Sequence, residues 1–163
     1  MPNTTEIPID YESARAKLLA FIENRENAFM VLATSADNRV MARTVLIIND
    51  GPDIYIFTWQ NSRKCMQIMQ NNRVSLCKDK VEIQGKAEIL GLMTDERNAK
   101  IMRILTAKHP DAVKRWQHKP HMVLIKITPT FACVDGYYVD DDAYLEYIDL
   151  EQHRAYKTQW GHF

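Results

Sequence analysis

The triplet Ser62-Arg63-Lys64 places two cations where the first turn of a helix is predicted. Serine is favoured at a helix N-cap, so both cations fall at the positive end of the helix dipole, at a cost of up to about 1 kcal/mol. A bound phosphate would remove this conflict, because backbone N–H groups, a hydroxyl and two cations could all contact it. The motif therefore indicates a phosphate site, although two basic side chains that simply face solvent would give the same pattern.

Arg43 is a second unusual residue, because it lies on the apolar face of a predicted strand. The apolar residues on this face are Met41, Val45 and Ile47. A charge in such a place needs either an anionic ligand or another means of stabilisation. A salt bridge, or a position at a barrel rim from which the charged group reaches solvent, would serve equally well. The turn signal at 49–52 would pair this strand with the next one, which ends at Thr58. Arg43 and Thr58 could therefore line one anionic site together with the triplet at 62–64.

The hydrophobic pattern predicts an α+β domain built round an antiparallel barrel of about six strands, with peripheral helices. Strands are predicted at 28–34, 40–48, 54–58, 74–77, 81–90, 122–127 and 131–134, and a hairpin within 144–160. Helices are predicted after the caps Asp10, Ser62 and Thr94, the last one ending at Pro110. The strand at 40–48 is apolar on both faces, which is typical of a closed barrel.

Composition excludes several classes of protein. The chain has 163 residues, with 21 Lys and Arg against 21 Asp and Glu, so we expect neither a nucleic-acid partner nor a membrane partner. Its length fits a single domain over 1–163. The first ten residues have no basic cluster and no apolar run, so no secretory signal is expected. Three widely spaced cysteines are typical of reduced thiols, and we expect a soluble cytoplasmic protein.

Common cofactor and metal motifs are absent from the sequence. Neither GxGxxG nor GxxxxGK[ST] occurs, which leaves out the usual nucleotide-binding loops. His118 and His121 flank Pro120, which breaks the helix that would align them as ligands. No metal site is therefore predicted.

An ordered series of short motifs resembles the pyridoxamine 5′-phosphate oxidase-related flavoproteins, the FMN-binding split-barrel family. The motifs are Arg43-Thr44-Val45-Leu46, Phe57-Thr58, Asn61-Ser62-Arg63-Lys64, 72–76 and 84–88. Their order and spacing match the family over about 28–92, and residues 144–163 form a C-terminal extension. The similarity is to the branch of general stress and nitroimidazole-resistance proteins.

The resemblance implies an FMN site, a fold and an oligomeric state. The residues carried over by position are Arg43, Thr44, Val45, Leu46, Phe57, Thr58, Ser62, Arg63 and Lys64. In relatives the arginine and the Ser-Arg-Lys triplet hold the FMN phosphate, and backbone near the Val45 and Leu46 positions faces the flavin ring. Lys80 takes the place of a family glutamine near the flavin and is expected beside the pyrimidine side of the ring, or in solvent. The family is typically dimeric with FMN at the subunit interface, so a homodimer is expected.

Departures from the family pattern affect the substrate side. The oxidase has a substrate-phosphate lysine where this chain has Ile48, and its C-terminal Trp-Lys-x-x-Arg-Leu-like run has no counterpart in 144–163. We therefore expect an FMN-dependent oxidoreductase distinct from pyridoxamine 5′-phosphate oxidase. The alternatives are a non-catalytic FMN-binding, flavin-storage or stress protein, and a haem-binding split barrel. The small-molecule substrate and the electron donor, NADH or NADPH for example, stay open.

Overall fold

A computed structural model describes residues 5–139 and 142–160 of the chain. Its α-helices are α1 (Tyr11–Glu23), α2 (Arg63–Gln70), α3 (Ala99–Lys108) and α4 (Pro110–Trp116). Its strands are β1 (Glu6–Ile9), β2 (Phe29–Ala36), β3 (Arg39–Leu46), β4 (Ile48–Asp50), β5 (Asp53–Trp59), β6 (Arg73–Lys78), β7 (Val81–Leu92), β8 (Met122–Val139), β9 (Asp142–Asp149) and β10 (Arg154–Trp160). None of the helices in these ranges is long and apolar enough to cross a membrane.

The strands form one antiparallel sheet in the order β1-β10-β9-β8-β7-β6-β2-β3. The first part of β8 also pairs with β5, which in turn pairs with β4. Within the described ranges no ladder joins β3 to β4 or β5, so the sheet curls without closing. This architecture confirms the predicted α+β split barrel, with ten strands rather than about six.

Two hydrophobic clusters cover opposite faces of β5 and β8. Alternate residues of β8, Ile125 and Ile127 among them, point into the main core, which α1 closes. The residues between them, such as Leu124, pack against α3 and α4 in the second cluster. Burial on both faces is therefore a property of β5 and β8.

The prediction that strand 40–48 is buried on both faces is wrong for the single chain. Val40 is 74% exposed, and Ala42 and Thr44 on the same face are also exposed. The strand is also divided at Ile47, which lies between β3 and β4 and whose N–H donates to the carbonyl of Ala28 at 2.7 Å, the next position in the β2–β3 register. The apolar alternation was correct, but no segment within 5–139 and 142–160 covers the outer face of β3.

Short sequence signals such as helix caps and prolines explain the other agreements and differences between the predicted and observed elements. Asp10 caps α1 by accepting from Ser13 N at 2.8 Å, as predicted, and β9 and β10 form the predicted hairpin. Thr94 is not a helix cap, because a single turn at Glu96–Asn98 precedes α3. Pro110 ends α3 and also begins α4, a position that proline favours because its missing N–H is not needed there. The strands predicted at 122–127 and 131–134 are one strand, β8.

Gly85 of β7 pairs with Pro129 of β8 beside a register shift between Gln84 and Gly85, and β8 passes very close to it there. A Cβ at Gly85 would lie 2.7 Å from the carbonyl oxygen of Thr128 and 2.9 Å from Ile127 Cγ2. We expect Gly85→Ala to lower the free energy of unfolding by about 1–3 kcal/mol in urea titrations, because backbone must shift to admit the methyl group. Gln84→Ala, at the exposed neighbouring position, is the control, and equal stabilities of the two variants would contradict the close approach.

Candidate functional site

A cavity of about 630 Å³ is bounded by the ends of β2, β3 and β5 and by helix α4. The strand residues that line it are Phe29, 44–46, 57–59 and Met122, and the other lining residues are Arg25, Lys64, 108–112, Arg115 and Trp116. Its volume lies within the range of small-molecule and cofactor pockets, about 300–1,000 Å³. The cavity can therefore hold a ligand of cofactor size.

The N-terminus of α2 supplies one end of the site. Ser62 is the N-cap of α2, and its Oγ accepts from Cys65 N at 3.4 Å. Lys64 Nζ donates to the hydroxyl of Thr58 at 2.7 Å, and this hydroxyl donates to Ser62 Oγ at 3.4 Å. Thr58 and Lys64 both line the cavity. The N-cap Ser62, the hydroxyl of Thr58 and the cation of Lys64 thus lie together, as the sequence predicted.

Arg43 lies behind this end, held by neutral groups of β2 and α2. Its guanidinium donates to Thr34 Oγ1 at 2.6 Å and to Gln67 Oε1 at 3.4 Å. Thr34 and Gln67 are buried, and Thr34 itself donates to Gln67 Oε1 at 2.6 Å. As predicted from the alternation, the guanidinium lies on the same strand face as Met41 and Val45, but its bonded partners are uncharged.

Arg43 and Lys64 are two partly buried cations without a carboxylate partner among the described residues. Burial lowers the pKa of Lys64, and the positive charge of Arg43 lowers it further. Burial likewise lowers the pKa of Arg43. Partly buried charges of one sign are unfavourable unless a counter-charge is supplied. An anionic ligand at the N-terminus of α2 would supply it.

The opposite wall is also basic. Arg25 donates to the carbonyl of Lys108 at 3.0 Å and thereby binds the last turn of α3, while Lys108 Nζ donates to Asn49 Oδ1 at 2.8 Å. Burial lowers the pKa of His109, with smaller effects from the charges of Arg25 and Lys108. Asp111 is the one carboxylate among the lining residues that the structure describes. The cavity as a whole therefore favours an anion.

Aromatic side chains provide an apolar part of the same cavity. The rings of Trp59 and Trp116 meet edge to face, with centroids 6.3 Å apart and planes at 87°. Met122 lies opposite Trp59 in the β5–β8 ladder. Edge-to-face pairs of this kind are favourable packing arrangements. The site thus combines cations with flat apolar surfaces, as a charged planar ligand requires.

A protein-family model described as pyridoxamine 5′-phosphate oxidase matches residues 14–132, well over half of the chain. The chain belongs to this family. The match runs from α1 into β8 and leaves the β9–β10 hairpin outside it.

Solved structures of family relatives and other proteins share the fold. General stress protein 26 from Bacillus anthracis is 23% identical, with a TM-score of 0.61, and the alignment covers 84% of this chain and 98% of that one. A pyridoxamine 5′-phosphate oxidase-related, FMN-binding protein from Nostoc punctiforme is 14% identical, with a TM-score of 0.57 and coverages of 94% and 98%. HutZ, a haem storage protein from Vibrio cholerae, is 12% identical, with a TM-score of 0.58 and coverages of 70% and 88%. Comparison with curated proteins gives no match.

Most of the residues that the family resemblance selects meet at the cavity. Those lining it are Thr44, Val45, Leu46, Phe57, Thr58 and Lys64. Ser62 is bonded to Thr58, whereas Arg43 does not line the cavity and is bonded to Leu32, Thr34 and Gln67. Arg63 is exposed in the first turn of α2, and its side chain does not line the cavity. Lys80 is exposed in the turn between β6 and β7 and also lies outside the cavity residues.

The wall formed by α4 and the end of α3 was not predicted from the sequence. Its residues are Arg25, Lys108, His109, Arg115 and Trp116. Arg25 and Lys108 are 83 positions apart and meet only through the fold. One local signal was available, since Pro110 is well suited to start a helix, but it was used only as the end of α3.

Proposed function

We propose that this chain binds FMN in the cavity, with the ribityl phosphate at the N-terminus of α2 and the flavin ring against β3 and the aromatic residues. The observation that carries the proposal is the pair Arg43 and Lys64, two partly buried cations that find no carboxylate in the described chain. A phosphate is a dianion that accepts several hydrogen bonds and suits such a place. Membership of the family and the FMN-binding relative from Nostoc support the same cofactor.

The activity we propose is that of an FMN-dependent oxidoreductase acting in the cytoplasm on a small molecule. Bound FMN would supply hydride or electron transfer at its N5 atom. The chain would hold the phosphate through Lys64, with the positive charge of Arg43 behind it, and Trp59 and Trp116 would restrict the access of water. The three cysteines are widely spaced and form no disulfide within the described residues, a cysteine usage typical of proteins in a reducing compartment. A non-catalytic FMN-binding or flavin-storage protein is the alternative.

FMN uptake is the first test. Titration of flavin-free protein into FMN should quench the flavin fluorescence saturably at micromolar concentrations, with one FMN per chain. Absence of binding in this range, or a haem Soret band on the purified protein instead of flavin absorbance, would refute the proposal.

Anaerobic addition of NADH or NADPH then distinguishes an oxidoreductase from a non-catalytic flavin-binding protein. Rapid loss of the visible flavin band supports an oxidoreductase, and a flavin that stays oxidised supports the non-catalytic alternative.

We further propose that the protein is a homodimer. The outer face of the β2–β3 hairpin exposes large apolar side chains, with Phe29 61%, Val31 42% and Val40 74% exposed. Several large apolar side chains exposed on one face are typical of an interaction site, and a two-fold axis allows the same face to cover itself. Phe29 also lines the cavity, so a partner on this face would border the FMN site.

Ile48 leads us to expect no pyridoxamine 5′-phosphate oxidase activity. Its side chain is buried beside Tyr55 in the second core cluster and is not among the cavity residues, so it cannot donate to a substrate phosphate. We expect no steady formation of pyridoxal phosphate from pyridoxamine or pyridoxine 5′-phosphate by the FMN-loaded protein. Reoxidation of the dithionite-reduced protein by oxygen is the control for a competent flavin. Sustained turnover would show that another group replaces the missing lysine.

A further inference from the structure

We infer that Gln67 of α2 is a positioning residue of the phosphate site, and that its uncharged amide keeps the positive charge of Arg43 available to a phosphorylated flavin. A carboxylate at this position would neutralise Arg43 within the chain and would reduce the preference for FMN over riboflavin. The inference rests on the proposed function, because it takes the FMN phosphate to lie at the N-terminus of α2.

Gln67 connects α2 to strands β2 and β3. Its side chain is buried, with 8% of the residue exposed. The amide oxygen accepts from Thr34 Oγ1 at 2.6 Å and from the guanidinium of Arg43 at 3.4 Å. The amide nitrogen donates to the carbonyl of Arg39 at 3.0 Å. The side chain therefore holds α2 against the strand that carries Arg43.

The chemistry of its partners determines which way the amide points. A guanidinium can only donate and a carbonyl can only accept, so the oxygen must face Arg43 and the nitrogen must face Arg39. The hydroxyl of Thr34 accepts from Arg43 at 2.6 Å and donates its own proton to Gln67. Thr34, Gln67 and Arg43 thus form one continuous network that holds the guanidinium in place.

The acceptors of this network orient Arg43 without cancelling its charge. Its bonds to the Leu32 carbonyl, Thr34 and Gln67 use only part of the five N–H donors of a guanidinium. Burial lowers the pKa of Lys64, and the charge of Arg43 lowers it further, so that charge acts on a residue that lines the cavity. The field of Arg43 therefore reaches the proposed position of the phosphate.

Glutamate has nearly the same size and shape as glutamine but would have the opposite effect on the ligand. A carboxylate at position 67 would form an ion pair with Arg43, and a neutral pair attracts a phosphate much less than a cation does. The carboxylate would also repel the phosphate directly. The amide is thus a side chain that holds Arg43 and leaves its charge to the ligand.

Gln67→Glu tests the role of the uncharged amide. In fluorescence titrations of the flavin-free protein we expect FMN affinity to fall by about tenfold or more, while riboflavin affinity changes by less than about threefold. Gln67→Met removes the same hydrogen bonds without adding a charge, so it should weaken FMN binding less than Gln67→Glu does. In urea titrations Gln67→Glu should be at least as stable as Gln67→Met, because methionine leaves Thr34 and Arg43 without this acceptor.

Two further variants complete the experiment. Thr34→Asp places a carboxylate at the other side-chain acceptor of Arg43 and should reproduce the selective loss of FMN affinity, which keeps the test open if Gln67→Glu does not fold. Gln70→Glu is the matched control, since it adds the same charge to α2 at an exposed position outside the cavity. Solvent screens this charge, so both affinities should stay within about threefold.

Failure of this inference is distinguishable from failure of the proposed function. A wild-type protein that takes up FMN, together with a folded Gln67→Glu or Thr34→Asp variant that keeps its FMN affinity within about threefold, overturns the inference alone. Equal losses of FMN affinity in Gln67→Glu and Gln67→Met, or equal losses for FMN and riboflavin in Gln67→Glu, would give Gln67 a purely structural role and also overturn it. A wild-type protein that takes up no FMN overturns both.

Discussion

Lys64→Met is expected to weaken FMN binding by about 10- to 150-fold, while riboflavin affinity changes by less than about threefold. The variant removes a charge-assisted hydrogen bond to the phosphate, worth roughly 1.5–3 kcal/mol, and keeps most of the aliphatic stem of the side chain. Riboflavin has no phosphate and keeps its contacts with β3 and the aromatic residues. Fluorescence titrations with both flavins measure the two affinities.

Two further variants control this result. Lys114→Met removes an exposed lysine of α4 that does not line the cavity and should leave both affinities unchanged. Arg63→Ala should weaken FMN less than Lys64→Met does, because an exposed cation is more strongly screened by solvent than a partly buried one. Equal losses for FMN and riboflavin in Lys64→Met would point to a folding defect and contradict the phosphate contact.

Val31→Glu is expected to convert the protein from a dimer of twice 19.0 kDa to a monomer of 19.0 kDa in light scattering. Val31 is exposed in the single chain, in the strand pair that carries Phe29 and Val40. A glutamate there would place a charge, together with its two-fold copy, in an apolar interface, which is strongly unfavourable. Circular dichroism should show a folded monomer, because the side chain points away from the core.

Met69→Glu is the matched control for this interface. Met69 is an exposed apolar residue of α2, on another part of the surface, so this variant should stay dimeric. A wild-type protein that scatters as a monomer would refute the homodimer. A dimer that persists in Val31→Glu would place the interface on another face.

Sequence signals that act within a few residues predicted much of the site. Ser62 is the N-cap of α2, and the placement of Arg43 on an apolar strand face follows from alternation alone. The family motifs then selected Thr44, Val45 and Leu46, which the fold brings to the cavity. These predictions depend on local backbone geometry, which short segments largely determine.

Features that depend on distant segments were not predictable in this way. Helix α4 faces β5 because Val113 packs in the second hydrophobic cluster, whose residues come from segments far apart in the chain. The outer face of β3 has the alternation of a buried strand, but that pattern does not distinguish burial within one chain from burial between two. Val40 shows the difference, since it is apolar and yet exposed in the single chain.

A crystal structure of the FMN complex tests the central proposal most directly. We predict that the phosphate oxygens lie within about 3 Å of Lys64 Nζ, next to Thr58 and the N-terminus of α2, with the flavin ring along 44–46. A phosphate bound instead at Arg115, with the ring turned toward α2, or FMN bound outside this cavity, would contradict it.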